Sequence, residues 1–196
     1  MAVTLEALTG SRVADVLPDL ARLRIEVFRD WPYLYDGTLA YEQSYLAKFV
    51  AARDTLIVVA YDNGRAVGAS TASPMEGHVD AFASTFRRAG FDPEAVYYFG
   101  ESVLLPAYRG QGIGHAFFDR REVMARQLGA FTHTAFCTVV RPPDHPLRPA
   151  SYRPLDGFWQ KRNYHCVDGL TASLRWKDID QPAETAKPMQ FWTRKL

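Results

Sequence analysis

Apolar residues along this chain follow two periods, and the changes from one to the other mark out its elements. Between Val13 and Phe28 the positions Val13, Val16, Leu17, Leu20, Leu23, Ile25, Val27 and Phe28 lie among charged residues, mostly at helical spacing, which predicts an amphipathic first helix. The segment RDWPYLYDG over 29–37 crowds aromatics around a proline and ends in a turn, and a helical pattern resumes over 40–50. From Thr55 the run TLIVVAY, the turn signal DNG and the run RAVGASTAS predict a hairpin that Pro74 closes. A short helix is expected over 78–89 on Val79, Phe82, Ala83 and Phe86, followed by an apolar, aromatic strand, AVYYFGESVLL. The turn PAYRGQG then leads into a helix from Ile113 to Leu128, with Gly129 where a C-cap belongs. A strand FTHTAFCTVV, a proline-rich loop RPPDHPLRPASYRP and a short helix DGFWQKRN follow. The tail offers two more strands, Leu170–Trp176 and Met189–Thr193, around a polar loop. No repeat, low-complexity tract or composition shift marks a linker, so residues 1–196 read as a single domain of mixed α/β class.

Composition narrows the functional classes. A chain of 196 residues, 47% hydrophobic, buries roughly 70% of its unfolded surface, so a core forms without disulfides or structural metals. Lys and Arg number 23 against 22 Asp and Glu, a net charge of +1, which argues against the broad basic footprint of a nucleic-acid binder. Any charge used for function is therefore local. The opening MAVTLEALTGSR has no basic start leading into an apolar stretch, and nothing approaches the ~18 uninterrupted apolar residues of a membrane span. A cytoplasmic protein without membrane or nucleic-acid partners is the expectation. Cys137 and Cys166 lack zinc-site spacing and are expected as reduced core thiols. The five histidines make no metal-binding pattern, and no metal is expected. The arginines of FRRAG and Arg120, Arg121 and Arg126 read as solvated helix faces.

The chemistry points to one turn. Gly110, Gly112 and Gly114 lie between a strand end and a helix start, where glycine permits unusual dihedrals and unpaired N–H groups with the helix dipole favour an anion. Together they make a phosphate cradle. No lysine follows the glycines as a Walker A loop requires, and His115 occupies the position where a dinucleotide-binding fingerprint needs glycine or alanine. The order that fits is [RQ]xxGxG, read as Arg109, Gly112 and Gly114 behind VLLP and Tyr108.

On SVLLPAYRGQGIGHAFF, and more loosely from the first helix to FWQKRNY, the sequence resembles the GNAT superfamily of acetyl-CoA-dependent N-acetyltransferases. The resemblance implies a mostly antiparallel sheet of about six or seven strands flanked by helices, an α+β arrangement. It implies that Arg109, Gly110, Gln111, Gly112, Ile113 and Gly114 wrap the pyrophosphate of acetyl-CoA, and that main-chain groups of Val103, Leu104 and Leu105 pair with its pantetheine arm like an added strand. Acetyl-CoA enters as co-substrate.

Acetyl transfer needs a neutral amine and a proton for the departing thiolate. Glu101 interrupts the apolar strand where relatives often carry a glutamate base, and burial beside Tyr98 and Phe99 is expected to raise its pKa; the alternative is a strand carboxylate pairing with a nearby arginine. Relatives often place an acidic tyrosine where FWQKRNY has Trp159, which cannot donate that proton; Tyr164 and Tyr152 carry the right group. The resemblance also implies that the acceptor enters between the two loops RDWPYLYDG and RPPDHPLRPASYR. Trp31, Tyr33 and Tyr35, with Asp30 and Asp36 nearby, suit an apolar or cationic amine, Arg141, His145, Arg148 and Arg153 suit a carboxylate or phosphate, and a small molecule with an amine and an anionic group would satisfy both. The expected function is direct acetyl transfer to a primary amine of a small molecule, amino-acid-like or peptide. The alternative is a weakly catalytic acyl-CoA-binding or sensing domain, which Trp159 favours. A homodimer is a further expectation, from strands near Phe191 and Trp192 taken to be exposed.

Overall fold

The computed structural model describes residues 3–78 and 80–196. Its elements run β1 (Thr4–Thr9), α1 (Leu17–Phe28), α2 (Leu39–Val50), β2 (Leu56–Asp62), β3 (Arg65–Pro74), α3 (Asp80–Arg88), β4 (Val96–Leu104), α4 (Ile113–Leu128), β5 (His133–Val139), α5 (Asp156–Lys161), β6 (His165–Lys177) and β7 (Glu184–Lys195). The seven strands form one sheet in the order β1-β2-β3-β4-β5-β7-β6, antiparallel throughout except between β4 and β5.

Local chemistry accounts for most boundaries. The β2–β3 hairpin turns on Asn63 and Gly64, both at positive φ, the conformation that a two-residue turn between twisted strands requires. Thr38 caps α2, its Oγ1 accepting from the Tyr41 N–H at 3.3 Å. The helix α4 is bracketed by Gly112 and Gly129, at φ 84° and 69°. Pro18 stands in the first turn of α1, which begins later than its apolar pattern does: Gly10–Val16 form a 3-10 segment instead. The helix expected over 78–89 is α3, although Val79, one of the positions that suggested it, lies outside the described residues. β1 was not anticipated, and β6 and β7 are longer than their apolar cores suggested.

Alternation along β4 divides the interior between two faces. Val96 and Tyr98 join Phe82 and Phe86 of α3, with Ala135 and Phe191, on one side. Tyr97 and Phe99 join Phe118 of α4, Phe136, Tyr164 and Trp192 on the other. α1 and α2 cover β1–β3 through Leu20, Leu23 and Leu46. Phe191 and Trp192 are therefore core residues of an interior strand, not exposed ones; the sheet edges are β1 and β6. Two further expectations are corrected: Arg121 is 1% exposed, and Cys166 is exposed while Cys137 is half-buried.

Two irregularities of β4 shape the centre of the molecule. Its parallel pairing with β5 spans only Val96–Tyr98 against His133–Ala135, after which β4 keeps to β3 and β5 keeps to β7. The strands part there, and Ser102, in the middle of the sheet, is exposed. In addition, Phe99 faces Ala72 and Ser102 faces Ser70, so Gly100 and Glu101 together oppose Thr71 in a β-bulge. A Cβ on Gly100 would lie 2.6 Å from Thr71 Oγ1, which restricts this position to glycine.

Candidate active site

The gap between β4 and β5 has the glycine turn, the expected cradle, at one end and a cavity at the other. At the cradle, Gly110 and Gly112 adopt φ of 77° and 84°, and a Cβ on either would meet no protein atom within 4 Å, so backbone conformation is what calls for glycine here. Among the described residues, the first main-chain N–H after Arg109 to find an acceptor is that of Ala116, on the Gly112 carbonyl at 3.1 Å. The N–H groups of residues 110–115 are thus free at the positive end of α4. The Arg109 Nε donates to the Leu104 carbonyl at 3.2 Å, and Gln111 Nε2 to the Ala107 carbonyl at 2.9 Å. Both side chains brace the turn.

Along the gap, the Leu105 N–H donates to the Val67 carbonyl at 3.0 Å and is committed to β3. Main-chain groups alternate in direction along an antiparallel strand, so Val103 shares that commitment, while Ser102 and Leu104 turn theirs towards the gap. Of the three residues expected to pair with a ligand, Leu104 is the one suitably directed, and Ser102 joins it. Val103 and Leu105 place their side chains in the core.

The cavity, of about 590 Å³, is walled by Phe28, Tyr33, Tyr35, Tyr41, Tyr45, Phe82, Tyr98 and Trp176, with Arg24, Ser73, His78, Gly100, Glu101 and Cys137 among its other lining residues. Glu101 is 5% exposed. Its Oε1 accepts from Arg24 Nη1 and from the Tyr45 hydroxyl, the latter at 2.9 Å, and its Oε2 accepts from the Thr71 hydroxyl. The Thr71 oxygen in turn accepts from the Glu101 N–H at 2.9 Å, so the bulge fixes the carboxylate from both ends. Arg24 also donates through Nε to Glu42, a fully buried residue whose other oxygen accepts from the Tyr35 hydroxyl at 2.9 Å. Burial pushes the Glu101 pKa up, but Arg24, Thr71 and Tyr45 outweigh it and hold the carboxyl below its ordinary value. The expectation of a raised pKa is corrected, because the guanidinium that outweighs burial comes from Arg24, 77 positions away along the chain.

From the opposite face of the sheet, Arg121 of α4 donates to the carbonyls of Thr71 and Glu101 at 3.3 and 3.2 Å, with its guanidinium 4.3 Å from the Phe99 ring centroid. It ties down the bulge whose side chain faces the cavity. His78 stands 2.8 Å from Ser73 Oγ and edge-on to Tyr98, and burial lowers its pKa to about 4, which keeps it neutral near pH 7. Burial pushes the Cys137 thiol, 3.0 Å from the Tyr98 hydroxyl, up to about 12.

Several expected residues stand elsewhere. Tyr164 is completely buried on the α4–α5 face, its hydroxyl 2.8 Å from Thr134 Oγ1 and 3.3 Å from Glu122. Tyr152 and His145 pack on Trp31, with ring centroids 5.9 and 5.1 Å away, so the two loops do meet, beside the cavity lining. Trp159 packs between Phe136 and Trp192. Arg141 pairs with both oxygens of the buried Asp178, at 2.7 and 3.0 Å, and donates to the Pro32 and Tyr33 carbonyls, which makes it a clamp on the aromatic loop. Arg148 is exposed and donates to the Pro143 carbonyl. Arg24, Glu42, Tyr45, Thr71 and His78 escaped the sequence analysis. Only the Arg24 and Glu42 charges, each on a helix whose partner face is apolar, were a usable signal.

Among the described residues no group of His, Cys, Asp and Glu could hold a metal ion, and no helix is long and apolar enough to cross a membrane. No curated protein sequence matches the chain. Among solved structures it is similar to an N-acetyltransferase from Staphylococcus aureus Mu50, at 13% identity, with 100% of this chain and 99% of that one aligned and a TM-score of 0.62. A ribosomal-protein-alanine N-acetyltransferase from Brucella melitensis aligns over 98% of this chain and 99% of its own, at 14% identity and a TM-score of 0.61. An acetyltransferase structure from Salmonella typhimurium with its cofactor acetyl-CoA aligns over 100% and 95%, at 13% identity and a TM-score of 0.62. At these identities the shared feature is the fold. The sequence itself matches the model of the acetyltransferase (GNAT) family over residues 20–149, from α1 through the glycine turn into the proline-rich loop. The chain belongs to the GNAT family of acetyltransferases.

Proposed function

We propose that this protein transfers the acetyl group of acetyl-CoA directly to a primary amine of a small molecule. The observation that carries this reading is the arrangement of a free-amide cradle and an ionised Glu101 at the two ends of one gap in the sheet. The residues fit the co-substrate: N–H groups of residues 110–115 suit its pyrophosphate, and the outward main-chain groups of Ser102 and Leu104 suit its amide arm. When bound, acetyl-CoA supplies an acetyl group activated as a thioester. As an amine attacks the thioester carbonyl, the N–C bond forms, the C–S bond breaks and the proton shed by nitrogen balances the departing thiolate; the carboxylate of Glu101, already ionised and immobilised, stabilises the positive charge that develops at nitrogen without reorganising. Transfer without an acyl-enzyme is favoured by the Cys137 thiol, which stays protonated at neutral pH and is a weak nucleophile.

The decisive experiment pairs calorimetry with thiol release. Binding of acetyl-CoA but not NADH, together with thiol release on adding amines, is the expected result; NADH binding without an acetyl-CoA response would overturn it. Tight acetyl-CoA binding with silence across a broad panel of amines, amino acids and peptides would favour an acyl-CoA sensor, the reading to which Trp159 and the buried Tyr164 lend weight.

A further inference from the structure

The cavity beside Glu101 has a distinctive set of charges and a nearly continuous aromatic wall. Its lining carries Arg24 and Arg175 against Glu101 and Asp80, and Glu42 lies directly behind Arg24. Two guanidinium groups and two carboxylates thus line the cavity, and the buried Arg24 carries a further carboxylate, Glu42, on its far side. Arg24 is divided between Glu42 and Glu101, and the oxygens of both acids accept from arginine or hydroxyl donors, the pattern of ionised carboxylates. Arg175 is exposed and donates to the Glu184 carbonyl. Arg141, the cation that would otherwise receive an anionic substrate group, is locked to Asp178 and to two loop carbonyls.

The walls are aromatic and contiguous. Phe28, Tyr33 and Trp176 follow one another with centroids 4.5 and 6.0 Å apart, and Tyr35, Tyr41 and Tyr45 with centroids 6.3 and 6.4 Å apart. Ring faces attract cations, and their area rewards an apolar body. A buried carboxylate in excess adds to that attraction and repels an anion, whose desolvation in the cavity would go unpaid.

We infer that the acceptor is a lipophilic primary amine without a carboxylate, an arylalkyl or alkyl amine, selected by the aromatic walls and by the Glu42–Arg24–Glu101 triad. This rests on the acetyl-transfer reading for its chemistry, but the selection is a property of the cavity and is measurable by binding alone. It replaces the amine-plus-anion acceptor suggested by the loop arginines.

Two matched pairs test it on the intact protein: 2-phenylethylamine against phenylalanine, and hexylamine against 6-aminohexanoate. Each is titrated calorimetrically into protein saturated with CoA, and each is assayed for thiol release from acetyl-CoA. The amine without a carboxylate is expected to bind at least tenfold more tightly in both pairs and to show at least tenfold higher kcat/KM. Equal or reversed preference, or no binding of any of the four, overturns the inference, whether or not other amines are acetylated. Preferential binding with no thiol release leaves the selectivity standing and sinks the transferase reading instead. Glu42→Gln keeps an acceptor for Arg24, makes the Tyr35 hydroxyl the acceptor of its amide and removes one negative charge, and it is expected to narrow the preference about tenfold. A loss common to both members of a pair, with the ratio unchanged, would assign Glu42 a structural role and remove it from selection.

Discussion

Glu101 is held by Arg24, Tyr45 and Thr71 in a way that makes its charge a permanent part of the cavity. Glu101→Gln should keep most of the hydrogen bonds while losing that charge, so turnover at neutral pH is expected to fall about a hundredfold with little change in acetyl-CoA affinity. A Glu101→Gln rate equal to that of the unmodified protein across pH 6 to 9 would remove Glu101 from the mechanism. The same group contributes to stability with a defined sign. Its folded pKa lies below the ordinary carboxylate value, so its stabilisation is complete above that value and drains as pH falls through the folded one. His78 acts over a higher range. Its pKa drops from 6.5 to about 4 on folding, so the unfolded chain binds the extra proton between those values, and stability declines as pH falls from about 6.5 to 4, by at most about 3 kcal/mol. In His78→Asn, denaturant midpoints measured across that window should lose this slope. Glu101 was visible in the sequence because a lone acid broke an apolar strand. Its clamp was not, because Arg24, Tyr45 and Thr71 lie on three other elements and only the fold brings them together.

Elements with a sharp local grammar were legible in advance. The DNG hairpin, the helix between Gly112 and Gly129 and the strand ahead of the glycine turn all stand where the sequence placed them. β1 was not, since its six residues show a broken alternation, with Leu8 its one fully buried side chain, and only pairing with β2 makes it a strand. The parting of β4 from β5 was likewise hidden, because register is a property of two strands and neither sequence encodes where pairing stops. At the cradle, Gly112→Ala forces a side chain into a left-handed dihedral at a cost of about 1 kcal/mol. The melting temperature should drop by roughly 2–4 °C. Acetyl-CoA affinity should fall more than tenfold in calorimetry, since the new methyl group sits in open space beside the free amides. Equal affinity for both proteins would show that the turn is not the anion site.

Across the molecule, the aromatic loop between α1 and α2 is fastened to the far end of the sheet. Arg141 and Asp178 pair beneath it, Lys177 reaches Asp36 at 2.8 Å, and the Ile179 N–H donates to the Leu34 carbonyl at 2.7 Å. Arg141→Ala leaves the buried Asp178 with Lys187 as its remaining cation at 3.4 Å and should destabilise the fold by about 3 kcal/mol in denaturant unfolding. Sequence alone assigned that arginine to substrate, because a charged loop residue and a buried clamp look alike until the partner strand is in place. The parted strands have one more consequence. Four strands on one side of the gap and three on the other share a ladder only three residues long, so the sheet is a hinged pair of plates with its seam partly undone. A molecule that laces the seam acts as a removable eighth strand, and mass action then lifts unfolding by about 2.7 kcal/mol at a hundredfold excess over its Kd. Amide exchange along Phe99–Leu104 and Phe136–Val139 should slow together when acetyl-CoA is added, and quicken together when it is dialysed away.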